Sequence, residues 1–118
     1  MLNQLCVITI KIQDMEKDLL FYTEILDFRI AERYGENITL LEHNGLPIIL
    51  EKASDTNKPT SSGTLLGVLS TNIRNDFEQL RDKGVNILSN EPLPCPPGYF
   101  FVIEDYSGNQ IEIIEFTN

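Results

Sequence analysis

The stretch Asp105-Tyr106-Ser107-Gly108-Asn109-Gln110-Ile111-Glu112-Ile113-Ile114-Glu115-Phe116 closes the chain and decides how the rest of it is read. A Gly108-Asn109 turn feeds a strand whose side chains alternate, so Ile111 and Ile113 point to one face while Glu112 and Ile114 point to the other. Glu112 is thus a carboxylate in mid-strand. Taken alone, a residue of this kind is a solvated outward group. A second carboxylate placed in the same way elsewhere would change its meaning.

Working outward, Tyr99–Glu104 pairs with the closing strand as a hairpin. It is preceded by Asn90-Glu91-Pro92-Leu93-Pro94-Cys95-Pro96-Pro97-Gly98, a stiff loop whose four prolines fix its path. Val85–Leu88 is a strand. Upstream of it Asn72 caps a helix with Ile73, Phe77 and Leu80 on one stripe, and Gly84 ends it in a left-handed turn. Thr64–Leu69 opens this half, which reads β-α-β-β-β. The first half has the same order. Leu5–Ile12 is a strand with Cys6, Ile8, Ile10 and Ile12 on one face. Asp14 caps a helix carrying Met15, Leu19, Tyr22 and Leu26, widened by Phe21 and Ile25. Phe28–Glu32, Asn37–Glu42 and Pro47–Lys52 follow as strands. Between the halves, residues 54–63 are polar and aperiodic, an internal linker. The chain is read as one domain of class α+β: module one over residues 1–53, the linker, and module two over residues 64–118.

Leu65 stands 58 residues after Val7, and the same offset pairs Asp14 with Asn72, Asp18 with Asp76 and Leu19 with Phe77. Glu112 stands 61 residues after Glu51, so the halves differ by about three residues of loop, and the simplest account is a duplication. Glu51 is then the second mid-strand carboxylate.

Length and composition suit a soluble globular domain able to bury its own core. A formal charge of −9, spread along the chain without any Lys or Arg cluster, argues against nucleic acid as a partner. No apolar run reaches membrane-span length and no secretory signal pattern stands at the N-terminus, so a cytoplasmic protein without a membrane partner is expected. Cys6 and Cys95 have no metal-ligand spacing and are expected as free thiols. The lone histidine, His43, sits at an Asn44-Gly45 hairpin and reads as an exposed turn residue.

The chain resembles the vicinal oxygen chelate superfamily, which groups glyoxalases, bleomycin-resistance proteins and extradiol dioxygenases. The resemblance is carried by Ile10-Lys11-Ile12-Gln13-Asp14 running into Phe21-Tyr22 and Leu26-Asp27-Phe28, and by Phe101 to Ile113 with its Asp105-Tyr106-Ser107-Gly108-Asn109-Gln110-Ile111-Glu112 ending. Tyr106 and Asp27 stand where that family usually has proline and glycine. The resemblance implies two tandem modules forming a cupped mixed sheet with helices on its outer face. In the family's metal enzymes four ligands line the cup, and the corresponding positions here are Val7, Glu51, Leu65 and Glu112. Val7 and Leu65 are aliphatic and offer no lone pair, so no transition metal and no cofactor is expected.

By the same resemblance the cup is lined by Val7, Thr9, Glu51, Leu65, Gly67, Phe100, Val102 and Glu112. The expected ligand is a small neutral or cationic molecule, and the expected assembly a homodimer, with modules exchanged between chains or not. Two carboxylates in an apolar cup call for a counter-charge. An amine-bearing ligand would supply it, as in the metal-free bleomycin-resistance branch. A lyase, isomerase or dioxygenase-type enzyme would instead use Glu51 and Glu112 as acid and base or as residual metal ligands. In a third case Lys11 or Lys52 neutralises one carboxylate and the pair is structural.

Overall fold

The structure, a computed structural model, describes residues 6–53 and 65–117. The expected linker, 54–63, and the first residues of both opening strands, Leu5 and Thr64, lie outside them. The chain divides into two compact units, residues 1–59 and 60–118, each an α+β unit with its own mixed sheet.

In the first unit β1 (Ile8–Ile12) alternates as its sequence demands, with Ile12 fully buried and Thr9 and Lys11 exposed. Asp14 caps α1 (Met15–Leu20) by accepting the Lys17 amide at 3.1 Å. The helix does not continue in α form. Phe21–Ile25 is a π-helical turn, in which the Leu26 amide reaches back to the Phe21 carbonyl at 3.2 Å. The adjacent Phe21 and Tyr22 are both buried in the core there, edge to face at 5.4 Å. The chain leaves through Asp27 at φ +64°, the left-handed conformation for which glycine is the usual choice and which a short carboxylate side chain tolerates.

β2 (Arg29–Tyr34), β3 (Ile38–Glu42) and β4 (Ile48–Lys52) complete a sheet of order β1-β4-β3-β2, with β1 and β4 parallel. The edge strand β2 runs further than expected, to Tyr34, and shifts register between Ile30 and Glu32. Leu41, Ile48, Leu50, Met15 and Leu19 fill the space between sheet and helix.

The second unit repeats the plan and adds to it. β5 (Leu66–Leu69) leads to α2 (Ile73–Asp82), whose cap Asn72 accepts the Asn75 amide at 3.2 Å. Glu115, from the far end of the chain, accepts the Ile73 amide at 2.7 Å and satisfies another of the helix's first N–H groups. Ile73, Phe77 and Leu80 are buried, each worth roughly 2 kcal/mol of apolar transfer. Gly84 turns the chain at φ +80°. The remaining strands are β6 (Asn86–Ile87), β7 (Leu93–Cys95), β8 (Gly98–Glu104) and β9 (Gln110–Phe116), in the order β5-β9-β8-β6 with β7 also on β8.

β7 corrects the expectation of a plain loop. Leu93 pairs with Phe100, Pro94 with Tyr99 and Cys95 with Gly98, so the proline-rich segment folds back as a short strand. Proline lacks an amide to donate, which restricts it to such an outer position. Between β8 and β9 the buried Asp105 accepts the Ser107 and Asn109 amides at 3.0 and 2.8 Å and the Asn109 side-chain amide at 2.8 Å. The turn that opens the closing strand is thus built from its own side chains. The expected free thiols are found, Cys6 exposed and Cys95 half-buried, and His43 is exposed with its Nδ1 3.0 Å from the Leu46 carbonyl. Among the described residues no helix is long and apolar enough to cross a membrane.

Candidate functional site

Each sheet packs one face on its helix, and the alternation then commits the other residues to a helix-free face. In the first unit Thr9 and Lys11 of β1, Ile49 and Glu51 of β4, Ile38 and Leu40 of β3, and Glu32 and Tyr34 of β2 share that face. Register sets them in two rows, Lys11–Glu51–Ile38–Tyr34 and Thr9–Ile49–Leu40–Glu32. Val7 lies just ahead of β1 and is half-buried. The first unit thus carries Val7, Thr9 and Glu51 of the expected site.

Glu51 is already engaged. The Lys11 ammonium donates to its Oε1 at 2.8 Å, from the neighbouring strand in direct register. The two side chains keep 57% and 36% of their surface exposed, so the pair contributes less than about 1 kcal/mol, but it supplies the positive charge that Glu51 requires. Of the two lysines that could have taken this role, Lys52 follows Glu51 on the opposite parity of the strand and does not.

At the far edge of the same face, Glu32 accepts a hydrogen bond from the Tyr34 hydroxyl and its charge opposes the phenolate, so Tyr34 is pushed above the ordinary tyrosine range. The folded value is raised, so this interaction stabilises fully below the unfolded pKa of about 10 and is lost as pH rises through the folded one. In a tyrosinate absorbance titration, subtracting a Tyr34→Phe variant from the wild type isolates this group. It is expected to ionise later than free tyrosine, and Glu32→Gln is expected to return it toward 10.

The second unit carries the other five expected residues, and four of them adjoin in the sheet. Gly67, Glu112 and Val102 form one row across β5, β9 and β8; Leu69, Ile114, Phe100 and Leu93 form the next. Leu65 precedes β5 and is exposed. Glu112 is half-buried and its carboxylate lies over Gly67, with Oε1 3.8 Å from the place a Cβ would occupy there. Among the described residues nothing donates a hydrogen bond or an ion pair to it. The surroundings are apolar, and Leu69 is 66% exposed in the described chain. Ile114 and Leu69 belong to this face and were absent from the expected set, although the strand alternation marks both. Leu93 joins only because the proline-rich segment forms β7.

The two carboxylates are not equivalent in register, contrary to the 61-residue offset. Counted back from the helix caps Asp14 and Asn72, Thr9 corresponds to Gly67 and Lys11 to Leu69. Thr9 pairs with Ile49, whereas Gly67 pairs with Glu112; Lys11 pairs with Glu51, whereas Leu69 pairs with Ile114. Glu51 therefore sits one same-face step further along its strand than Glu112 does.

The family description that matches the chain is Glyoxalase/Bleomycin resistance protein/Dioxygenase superfamily, over residues 4–113. The chain belongs to this superfamily. A solved superfamily member from Nocardioides is similar at 18% identity and TM-score 0.81, over 98% of this chain and 84% of that one. A lactoylglutathione lyase from Agrobacterium tumefaciens is similar at 12% identity and TM-score 0.75, over 96% and 93%. An integron cassette protein from the mobile metagenome of V. cholerae is similar at 18% identity and TM-score 0.75, over 99% and 98%. At these identities the likeness is one of fold. A comparison with curated proteins returns no match.

The donors of this superfamily member do not fit the four-ligand metal set. Two positions are aliphatic, Glu51 is held by Lys11, and among the described residues no three His, Cys, Asp or Glu side chains gather as a metal group.

Proposed function

We propose that the chain is a small-molecule-binding member of the superfamily, holding an amine-bearing compound with an apolar body at Glu112 on the helix-free face of the second sheet, without a transition metal. The observation that carries this reading is Glu112 itself, a half-buried carboxylate without a described partner, bordered by Val102, Phe100, Ile114 and Leu69. Removing a carboxylate from water costs several kcal/mol unless a cation comes with it. An ammonium over Gly67 supplies that charge, and the apolar neighbours take the body of the ligand. The overall negative charge draws such a ligand in. An acid–base pairing of Glu51 with Glu112 is less well supported, because Lys11 already engages Glu51. The same reading takes the protein as a cytoplasmic homodimer.

Thermal unfolding of the full chain with benzylamine and with benzyl alcohol separates the charge from the ring. Benzylamine at a hundredfold excess over its dissociation constant is expected to add about 2.7 kcal/mol of stability and to raise the Tm, with the alcohol far less effective. Equal shifts from both compounds would remove the role assigned to Glu112.

A further inference from the structure

We propose that Lys11 sets which of the two mid-strand carboxylates takes a cation: held on Glu51 as a built-in ammonium, it disfavours an incoming cation there and leaves Glu112 to receive it. The inference rests on the reading of Glu112 above and adds the residue that guards Glu51. The two helix-free faces offer a ligand similar apolar contact, Ile38, Ile49 and Leu40 in the first unit and Val102, Phe100 and Ile114 in the second. Both faces keep a net negative charge, with Glu32 joining Lys11 and Glu51 on the first, but they differ in what stands beside the mid-strand carboxylate. Parallel register places Lys11 beside Glu51, with Nζ and Oε1 2.8 Å apart. In the second unit the corresponding position is Leu69, and the residue beside Glu112 is Gly67, which has no side chain to bring a cation.

An ammonium approaching Glu51 must either displace Lys11 or share the carboxylate with its like charge, whereas one approaching Glu112 does neither. Because the Lys11–Glu51 pair is partly exposed, its displacement alone accounts for roughly a fivefold loss in affinity.

The test is a titration of the full, ¹⁵N-labelled chain with benzylammonium, read amide by amide. In the wild type the shifts are expected at Gly67, Val102 and Glu112. In Lys11→Met a second set is expected at Thr9, Ile38 and Glu51, with a midpoint about fivefold lower than for any movement there in the wild type, and it disappears in the Lys11→Met/Glu51→Gln double variant. Lys11→Gln should behave as Lys11→Met does, which separates the loss of charge from a local packing change. If both variants leave Thr9, Ile38 and Glu51 as in the wild type, the proposal is overturned. A wild type without shifts around Glu112 would instead count against the Glu112 reading, since the effect of Lys11 is read on the other sheet.

Discussion

Phe101→Ala is expected to lower the unfolding free energy by about 3–5 kcal/mol. Phe101 lies mid-way along β8 with no exposed surface, opposite Ile113 on β9, and meets Phe77 of α2 edge to face at 5.1 Å. It joins helix to sheet in the second unit, so truncation removes the ring's transfer free energy, its aromatic partner and the contacts of the surrounding wall at once. Domains of this size have only about 5–15 kcal/mol in total, so the loss is a large fraction. Urea denaturation is the appropriate measurement. A midpoint shift at constant m-value is expected, with Phe101→Leu falling between the alanine variant and the wild type. A loss below about 1 kcal/mol would show that α2 is not held to its sheet through this ring.

Gly98→Ala is expected to cost about 3 kcal/mol, at the upper end for overpacking. Gly98 begins β8, pairing with Phe116 on one side and Cys95 on the other. A Cβ at this position would overlap the carbonyl oxygen of Glu115 and come within 2.9 Å of the Thr117 amide. Both obstacles are backbone, which cannot rotate away as a side chain tip can. The end of β9 must therefore separate from β8, and the hydrogen bond from the Thr117 amide to the Pro97 carbonyl is lost with it. Hydrogen exchange distinguishes this from global unfolding: protection should fall at Thr117 and Phe116 before it falls at Ile111. Uniform loss along β9 would contradict a local clash.

What could be read without coordinates was local or periodic. Asp14 and Asn72 announce their helices because a short acceptor before an apolar stripe satisfies amides a few residues away. The closing strand shows its two faces through the alternation of Ile111, Glu112, Ile113 and Ile114, and the structure buries Ile111 and Ile113 as that pattern requires. The π-helical turn was hidden because Phe21 and Tyr22 fit an α-helical stripe loosely enough to mask the extra residue. β7 was hidden by its prolines, which mark loops far more often than outer strands.

The candidate site was harder for a different reason. Lys11 and Glu51 are forty residues apart, and only the register of two parallel strands brings them together. The 61-residue offset matched Glu51 to Glu112, and no local pattern records that Glu51 pairs one same-face step further along its own sheet than Glu112 does in its own. The chemistry of Val7 and Leu65, in contrast, was legible at once, since an aliphatic side chain cannot become a ligand in any fold.

The most direct measurement is a calorimetric titration of benzylamine into the wild type and into Glu112→Gln, each with and without EDTA. Binding to the wild type is expected to be unchanged by the chelator and to weaken by at least about tenfold in Glu112→Gln, the usual scale for losing a charge-assisted contact. Equal affinity in the two proteins, or binding by the wild type that EDTA abolishes, would contradict a metal-free amine site at Glu112.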